Sequence, residues 1–341
     1  MLFLTNNNID ETSINSSILS SDSNNTIHSK TQNKTLYYVT TDDNKNMSLP
    51  SAKTLLDKPP PYDDIDIYKL SPNLTTSPNT IVTAYFRLPS KHGSIQYDQW
   101  MSNFLSVQDH MVIFTQPELF IQIKDFRSHA LDRTVIILMD MADIPIGNLY
   151  PLEFWGDQLS RDYEKDRHQS YQLFWIWLNK IWCAMEAIRH NFFQSDIFLW
   201  SDIGCFRDRN YNSKTVVAHR EQVPRHEMLC MSFQQPIPPN ENFFDDKRKY
   251  ERNFYHSGSQ FAAYADTWKV YYDLFLDMID QFISHNMLLV DDQVVLQSVC
   301  LTNPEMCAYV LSSEVNDKRY HGLRYVLHHG GKYNLWRKPH S

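Results

Sequence analysis

The sequence lacks the loops that mark the commonest nucleotide-using enzymes. It has eight glycines in 341 residues. None falls in a GxGxxG or Walker A pattern, which argues against a dinucleotide-dependent dehydrogenase and a P-loop NTPase. The GxSxG elbow of a serine hydrolase and the HExxH zinc motif are absent as well. Five cysteines (183, 205, 230, 300, 307) are odd in number, widely spaced and free of CxxC. Neither a zinc site nor a disulfide framework is therefore expected, and a reducing compartment is the simplest setting. No apolar run approaches the roughly 18 residues of a membrane span. The opening MLFLTNNN lacks the basic region of a secretory signal, so a cytoplasmic location is expected. A net charge of −8 with no Lys/Arg-rich block argues against a nucleic-acid partner.

What is present divides the chain at about residue 79. Residues 1–78 are rich in Ser, Asn, Thr and Asp and poor in aromatics. Such a segment buries too little apolar surface to offset chain entropy, and a mostly disordered, low-complexity extension is expected. Within it, Pro59–Tyr62 spells PPPY, which is either a polyproline ligand for a WW-domain partner or a stiff spacer. Residues 79–341 read as one α/β domain with a mixed, mainly parallel sheet flanked by helices. TIVTAYF (80–86), HMVIFTQ (110–116), TVIILMDM (134–141), DIFLWSD (196–202) and MCAYVL (306–311) read as strands. Tyr97, Trp100, Met101, Phe104 and Leu105 recur at helical spacing. One long helix is expected over 168–190, with Leu173, Trp177, Ile181, Ala184 and Ile188 on its apolar face. A second helix carries Trp268 to Phe282, and a third begins at Asp291. The polar stretch 207–253 reads as a loop-rich insertion over one edge of the sheet. The tail 325–339 reads as a strand, a Gly-rich turn and an aromatic segment.

In open α/β sheets, ligands sit beyond the carboxyl ends of the strands. Thr83, Tyr85, Asp202 and Gly204 fall at such ends here. Further along come His256, Ser257 and Gly258, then Asp291 and Asp292, then His328. Carboxylates with an imidazole suit a divalent cation holding a diphosphate. Each also has a plainer role: Asp202 as a turn residue, Asp291 and Asp292 as a helix N-terminus, His328 as a core histidine. Lys180 lies at the edge of the 168–190 apolar face. It either snorkels or aims an ammonium at an anion in a cleft.

The order TIVTAYF, VIFT, NKIW, FLWSDIGCFR, SGSQFAAYADTW, DDQ resembles the HtrL/YibB family over roughly residues 79–312, with W-x-D-x-G-x-x-R (200–207) its most specific piece. The order of elements also resembles a GT-A glycosyltransferase. His328, Gly331 and Trp336 partly match the H-x-x-G tail motif of glycogenin-like transferases, whose His is a metal ligand. The resemblance implies a nucleotide-sugar donor and an acceptor hydroxyl, the acceptor itself unknown. It implies Asp202, Asp291 and Asp292 as catalytic candidates, and Thr83, Tyr85, Lys180, Gly204 and Arg207 on the donor. His256, Ser257 and Gly258 fall on the acceptor side. GT-A enzymes carry Asp-x-Asp, and here Asp202 is followed by Ile203 and Gly204. Two registers stay open. In one, Asp202 and His328 hold Mn2+ or Mg2+. In the other, no metal is used and Lys180, Arg207 or Arg209 neutralise the diphosphate. Two competing functions also remain: an inactive GT-A-like scaffold, favoured by the missing second Asp, and a metal-dependent phosphoesterase.

Overall fold

The computed structural model describes residues 49, 51–56, 65–88, 93–234, 236, 255–317 and 321–337. The Pro59–Tyr62 segment and most of the Pro-rich part of the expected insertion lie outside them. Eight strands form one sheet in the order β1-β4-β3-β2-β5-β7-β6-β8. They are β1 (Asp66–Lys69), β2 (Asn79–Tyr85), β3 (Met111–Thr115), β4 (Thr134–Leu138), β5 (Ile197–Ser201), β6 (Met228–Ser232), β7 (His256–Tyr264) and β8 (Cys307–Leu311). The β2/β3, β3/β4, β2/β5 and β6/β8 pairs are parallel, while β7 runs against both of its neighbours and β1 runs against β4. The sheet is thus mixed and mostly parallel, as its near-continuous apolar strands require: β3 and β5 are buried at every position.

Period-2 alternation sorts each strand between two cores. Val82, Ala84, Phe198, Trp200 and Phe261 face one core, and Ile81, Tyr85, Ile197, Leu199 and Ala262 the other. Helices α1 (Ala52–Leu56), α2 (Ser94–Leu105), α3 (Phe120–Phe126), α4 (Leu152–Arg161), α5 (Lys165–His168), α6 (Gln172–Leu178), α7 (Lys180–His190), α8 (Ala265–Ser284), α9 (Asp292–Thr302) and α10 (Leu323–His329) complete the described regular structure with short 3-10 turns. The first core packs under α6 to α9 and the second under α2, α3 and α10. Among the described residues, no helix is long and apolar enough to cross a membrane.

Several expectations are corrected. The folded body begins before residue 79. Strand β1 pairs with β4, and α1 docks on α8 through Ser51 Oγ and Ala52 N, 2.5 and 2.6 Å from the Asp280 carboxylate. These short segments are stabilised by distant partners, and their own composition carries no sign of it. The stretch 207–253 is not only a surface insertion, because its MLCMS segment is β6, an interior strand. The 168–190 helix is interrupted: Gln169 is left-handed at φ 60°, and α6 and α7 meet at Asn179. The tail is helical at 323–329, with Leu323, Val326 and Leu327 buried at helical spacing. Finally, Cys300 and Cys307 form a disulfide with S–S 2.00 Å. The turn between α9 and β8 brings them together, and chain spacing alone cannot assign such a pairing.

Candidate active site

The chain leaves β2 toward β3 and β4 on one side, and later returns to place β5 on the other side of β2. This is a topological switch point, where the loops beyond the two strand ends part and open a crevice. Asp202 leaves the end of β5 into that crevice. Its backbone N–H donates to Ser259 O at 2.8 Å and its carbonyl accepts from Cys205 N at 3.0 Å, so the turn is fixed by main-chain bonds and the carboxylate is free for other work. Trp200 Nε1 donates to Asp202 Oδ1 at 2.9 Å.

Lys180 comes from the start of α7, directly after the Asn179 break. Its ammonium lies 3.0 Å from Asp202 Oδ1 and 2.9 Å from Asp292 Oδ2, and donates to Gly258 O at 2.8 Å. The Lys180 and Asp292 side chains are 4% and 5% exposed, whereas Asp202 is 34% exposed. Asp202 is therefore the member of the trio that a ligand can reach. Gly258 is needed for this closure, since a Cβ there would stand inside contact distance of the Asp292 carboxylate. Asp291 caps α9 by accepting from Gln293 N at 2.9 Å, and Gln293 Nε2 ties the helix start to His256 O at 2.6 Å.

One ammonium thus serves two acids in a dry setting. Burial opposes the charge on Lys180, but Asp202 and Asp292 together outweigh it and hold its pKa above the usual lysine value. Burial pushes Asp292 up to about 8 against the pull of Lys180, with repulsion from Asp291 and Asp202 adding to the rise. Burial also raises Asp291.

An aromatic group packs beside the turn after β5. Tyr85 lies 6.0 Å from Tyr97 and Tyr97 lies 5.3 Å from Trp100, centroid to centroid. The exposed Arg207 sits 4.4 Å over the Trp100 ring, a cation–π placement. Gly204 lies against these rings: a Cβ there would meet Trp100 and Tyr97 at 3.5 and 3.6 Å, ordinary contact distances. Thr83 is fully buried, and its hydroxyl has no hydrogen-bond partner among the described residues.

The structure therefore brings together Lys180, Asp202, Gly258 and Asp292, with Asp291 one residue away, and sets Tyr85, Gly204 and Arg207 around the Tyr97 and Trp100 rings. His256 and Ser257 do not line an opening. Both are fully buried, His256 against Tyr309 OH at 3.2 Å and Ser257 Oγ against Ser259 Oγ at 2.8 Å. His328 is not brought to Asp202. Its contacts are Thr215 O at 2.7 Å and the rings of Tyr211 and His329, because the tail is a helix where the motif's spacing called for an extended strand. In the sequence, Tyr97 and Trp100 mark only a helix face. Their spacing carried that much, and nothing in it said that the face meets Gly204 and Arg207.

The residues present do not fit Mn2+ or Mg2+ as they are arranged. The Lys180 ammonium occupies the space between the two carboxylates, Gly204 offers no side-chain donor, and His328 is elsewhere.

Among solved structures, mouse xyloside xylosyltransferase 1 in its apo form is similar at 10% identity and a TM-score of 0.40, with 73% of this chain and 92% of that chain covered. No curated protein matches. The family described as "Bacterial protein of unknown function (HtrL_YibB)" matches residues 77–312, more than half of the chain, and the chain belongs to that HtrL/YibB family.

Proposed function

We propose that the chain transfers a sugar from a nucleotide-sugar donor to an acceptor hydroxyl in a GT-A-like fold. The observation that carries this reading is the convergence of Lys180, Asp202 and Asp292 at the crevice between β2 and β5. Asp202, held by Trp200 and Lys180, accepts hydrogen bonds from donor hydroxyls, a task for a fixed and partly exposed carboxylate. Tyr85, Tyr97 and Trp100 give the donor's base an apolar wall, and Arg207 supplies an exposed cation toward the diphosphate. Asp292, buried behind Lys180, keeps the ammonium in place, and Asp291 fixes the helix that bears it. The cation beside the acids is Lys180, and the reading uses no metal.

The test is a screen of nucleotide sugars for donor hydrolysis and for thermal stabilisation, which follows from mass action if a nucleotide binds the folded chain. Asp202→Ala should abolish hydrolysis and reduce the thermal shift. Unchanged activity in Asp202→Ala sinks the mechanism. A second reading, a binding or scaffold protein, is favoured by the saturation of Lys180 with two acids and a carbonyl. Absence of any thermal shift with every nucleotide tried, with and without manganese, would favour it.

A further inference from the structure

A second group of chemistry-bearing side chains lies behind α9, and the proposed transfer does not use it. Cys230 of β6, His256 at the start of β7 and Cys300 of α9 place one ligand atom each within 4.8 Å of one another, and all three residues are buried. The imidazole stands out in this group. Its Nδ1 faces the Tyr309 hydroxyl at 3.2 Å, while Nε2 has no hydrogen-bond partner among the described residues. Leaving a fully buried nitrogen unpaired is costly. A buried imidazole with one nitrogen held by a hydroxyl and the other unpaired, grouped with two cysteine sulfurs, has the make-up of a metal-ligating histidine with its orienting partner. Thiolate and imidazole donors select zinc over hard cations such as magnesium.

One feature keeps the group closed: Cys300 Sγ is bonded to Cys307. A disulfide sulfur is not a thiolate, so metal binding and the disulfide exclude each other. We propose that Cys230, His256 and Cys300 form a zinc site that opens when the Cys300–Cys307 disulfide is reduced, with Cys307 released as the fourth ligand. The chemistry balances. Two equivalents of a thiol reductant, or one dithiol, supply two electrons and two protons; the protein S–S bond breaks to two thiols and the reductant's own S–S bond forms. Zinc then displaces one proton from each cysteine that binds it, and the neutral imidazole releases none. Sulfur atoms on tetrahedral zinc sit about 3.8 Å apart, given Zn–S bonds of about 2.3 Å. The present spread of up to 4.8 Å closes by side-chain rotation of Cys300 once it is free. The clip would then join α9 to β6, β7 and β8 in place of a covalent link between α9 and β8 alone.

The experiment titrates the full chain with Co2+ as an optical stand-in for zinc, once after reduction by a phosphine and once oxidised. The reduced chain should take up one equivalent, with thiolate-to-cobalt charge transfer and the visible bands of a tetrahedral site, and Zn2+ should bleach them. The oxidised chain should show none. Cys230→Ser and His256→Gln should each weaken uptake by about tenfold or more, and Cys183→Ser should not. Because a buried variant can fail to fold, the wild-type chain carries a second readout. Zn2+ should protect Cys230, Cys300 and Cys307 from alkylation after reduction, and leave Cys183 and Cys205 as reactive as before. No uptake by the reduced chain, equal uptake by the oxidised chain, or full bands in a folded Cys230→Ser overturns the proposal.

Discussion

At Lys180 a single ammonium meets two carboxylates and a backbone carbonyl. Lys180→Met keeps the stem and removes the charge, leaving Asp202 and Asp292 facing each other. Breaking a buried pair from one side costs on the order of 3–5 kcal/mol, which urea unfolding should show above the folded Asp292 pKa of about 8, where that carboxyl is charged; adding Asp292→Asn to the same chain should there recover part of the loss. Asp292 also predicts a pH dependence. Its folded pKa is about 8, whereas an unfolded Asp titrates near about 3.9. Between these values the folded state holds one more proton than the unfolded state, so stability falls as pH rises. The contribution is complete below about pH 4 and is lost as pH approaches 8. Between pH 5 and 8 the melting temperature of the wild type should therefore fall relative to that of Asp292→Asn. A constant difference across that range would show that Asp292 is not raised.

Helices and strands that bury their own apolar pattern could be read from the sequence; those stabilised by a distant partner could not. β2, β3, β4, β5 and β8 announce themselves as β-branched and aromatic runs, and α8 as an apolar stripe with Asp273, Asp277 and Asp280 largely away from it. By contrast, α1 is five residues long, too short to stand by itself. It is ordered by Asp280, a residue more than two hundred positions away that accepts from both Ser51 and Ala52. Asp280→Ala should remove this cap, at a cost of about 1 kcal/mol. Limited proteolysis should then cut faster near residues 51–56 while the core resists as before. β6 is hidden in the sequence for a related reason: five residues inside a polar stretch become a strand because β7 and β8 pair with both of its edges.

For the molecule as a whole, Arg324 ties the C-terminal helix to the loop after β5. Its guanidinium is fully buried and donates to Cys205 O at 2.8 Å, to both Asp317 oxygens at 2.9 and 3.0 Å and to Asp208 at 3.2 Å, and it lies over the Phe206 and Tyr211 rings. Asp202 and Arg207 belong to the same loop, so the tail braces the crevice from behind. Arg324→Lys keeps the charge and loses the planar fork. A loss of about 3 kcal/mol is expected, since buried donors and acceptors are left unpaired. Weaker nucleotide-induced thermal stabilisation should accompany it; an unchanged response would show that the brace does not reach the crevice.

Local pattern by itself determined the α/β class, most of the strands, and Asp202 as a carboxylate beyond a central strand, because alternation, burial and strand-end position are properties of neighbouring residues. It also marked Lys180, Gly258 and Asp292, without joining them. Only the tertiary structure decided that these three meet Asp202, that His328 does not, that Cys300 bonds Cys307, and that Cys230 and His256 stand beside them. Those facts depend on strand order and on where distant loops come to rest, and no spacing along the chain encodes the distance between segments that only folding brings together.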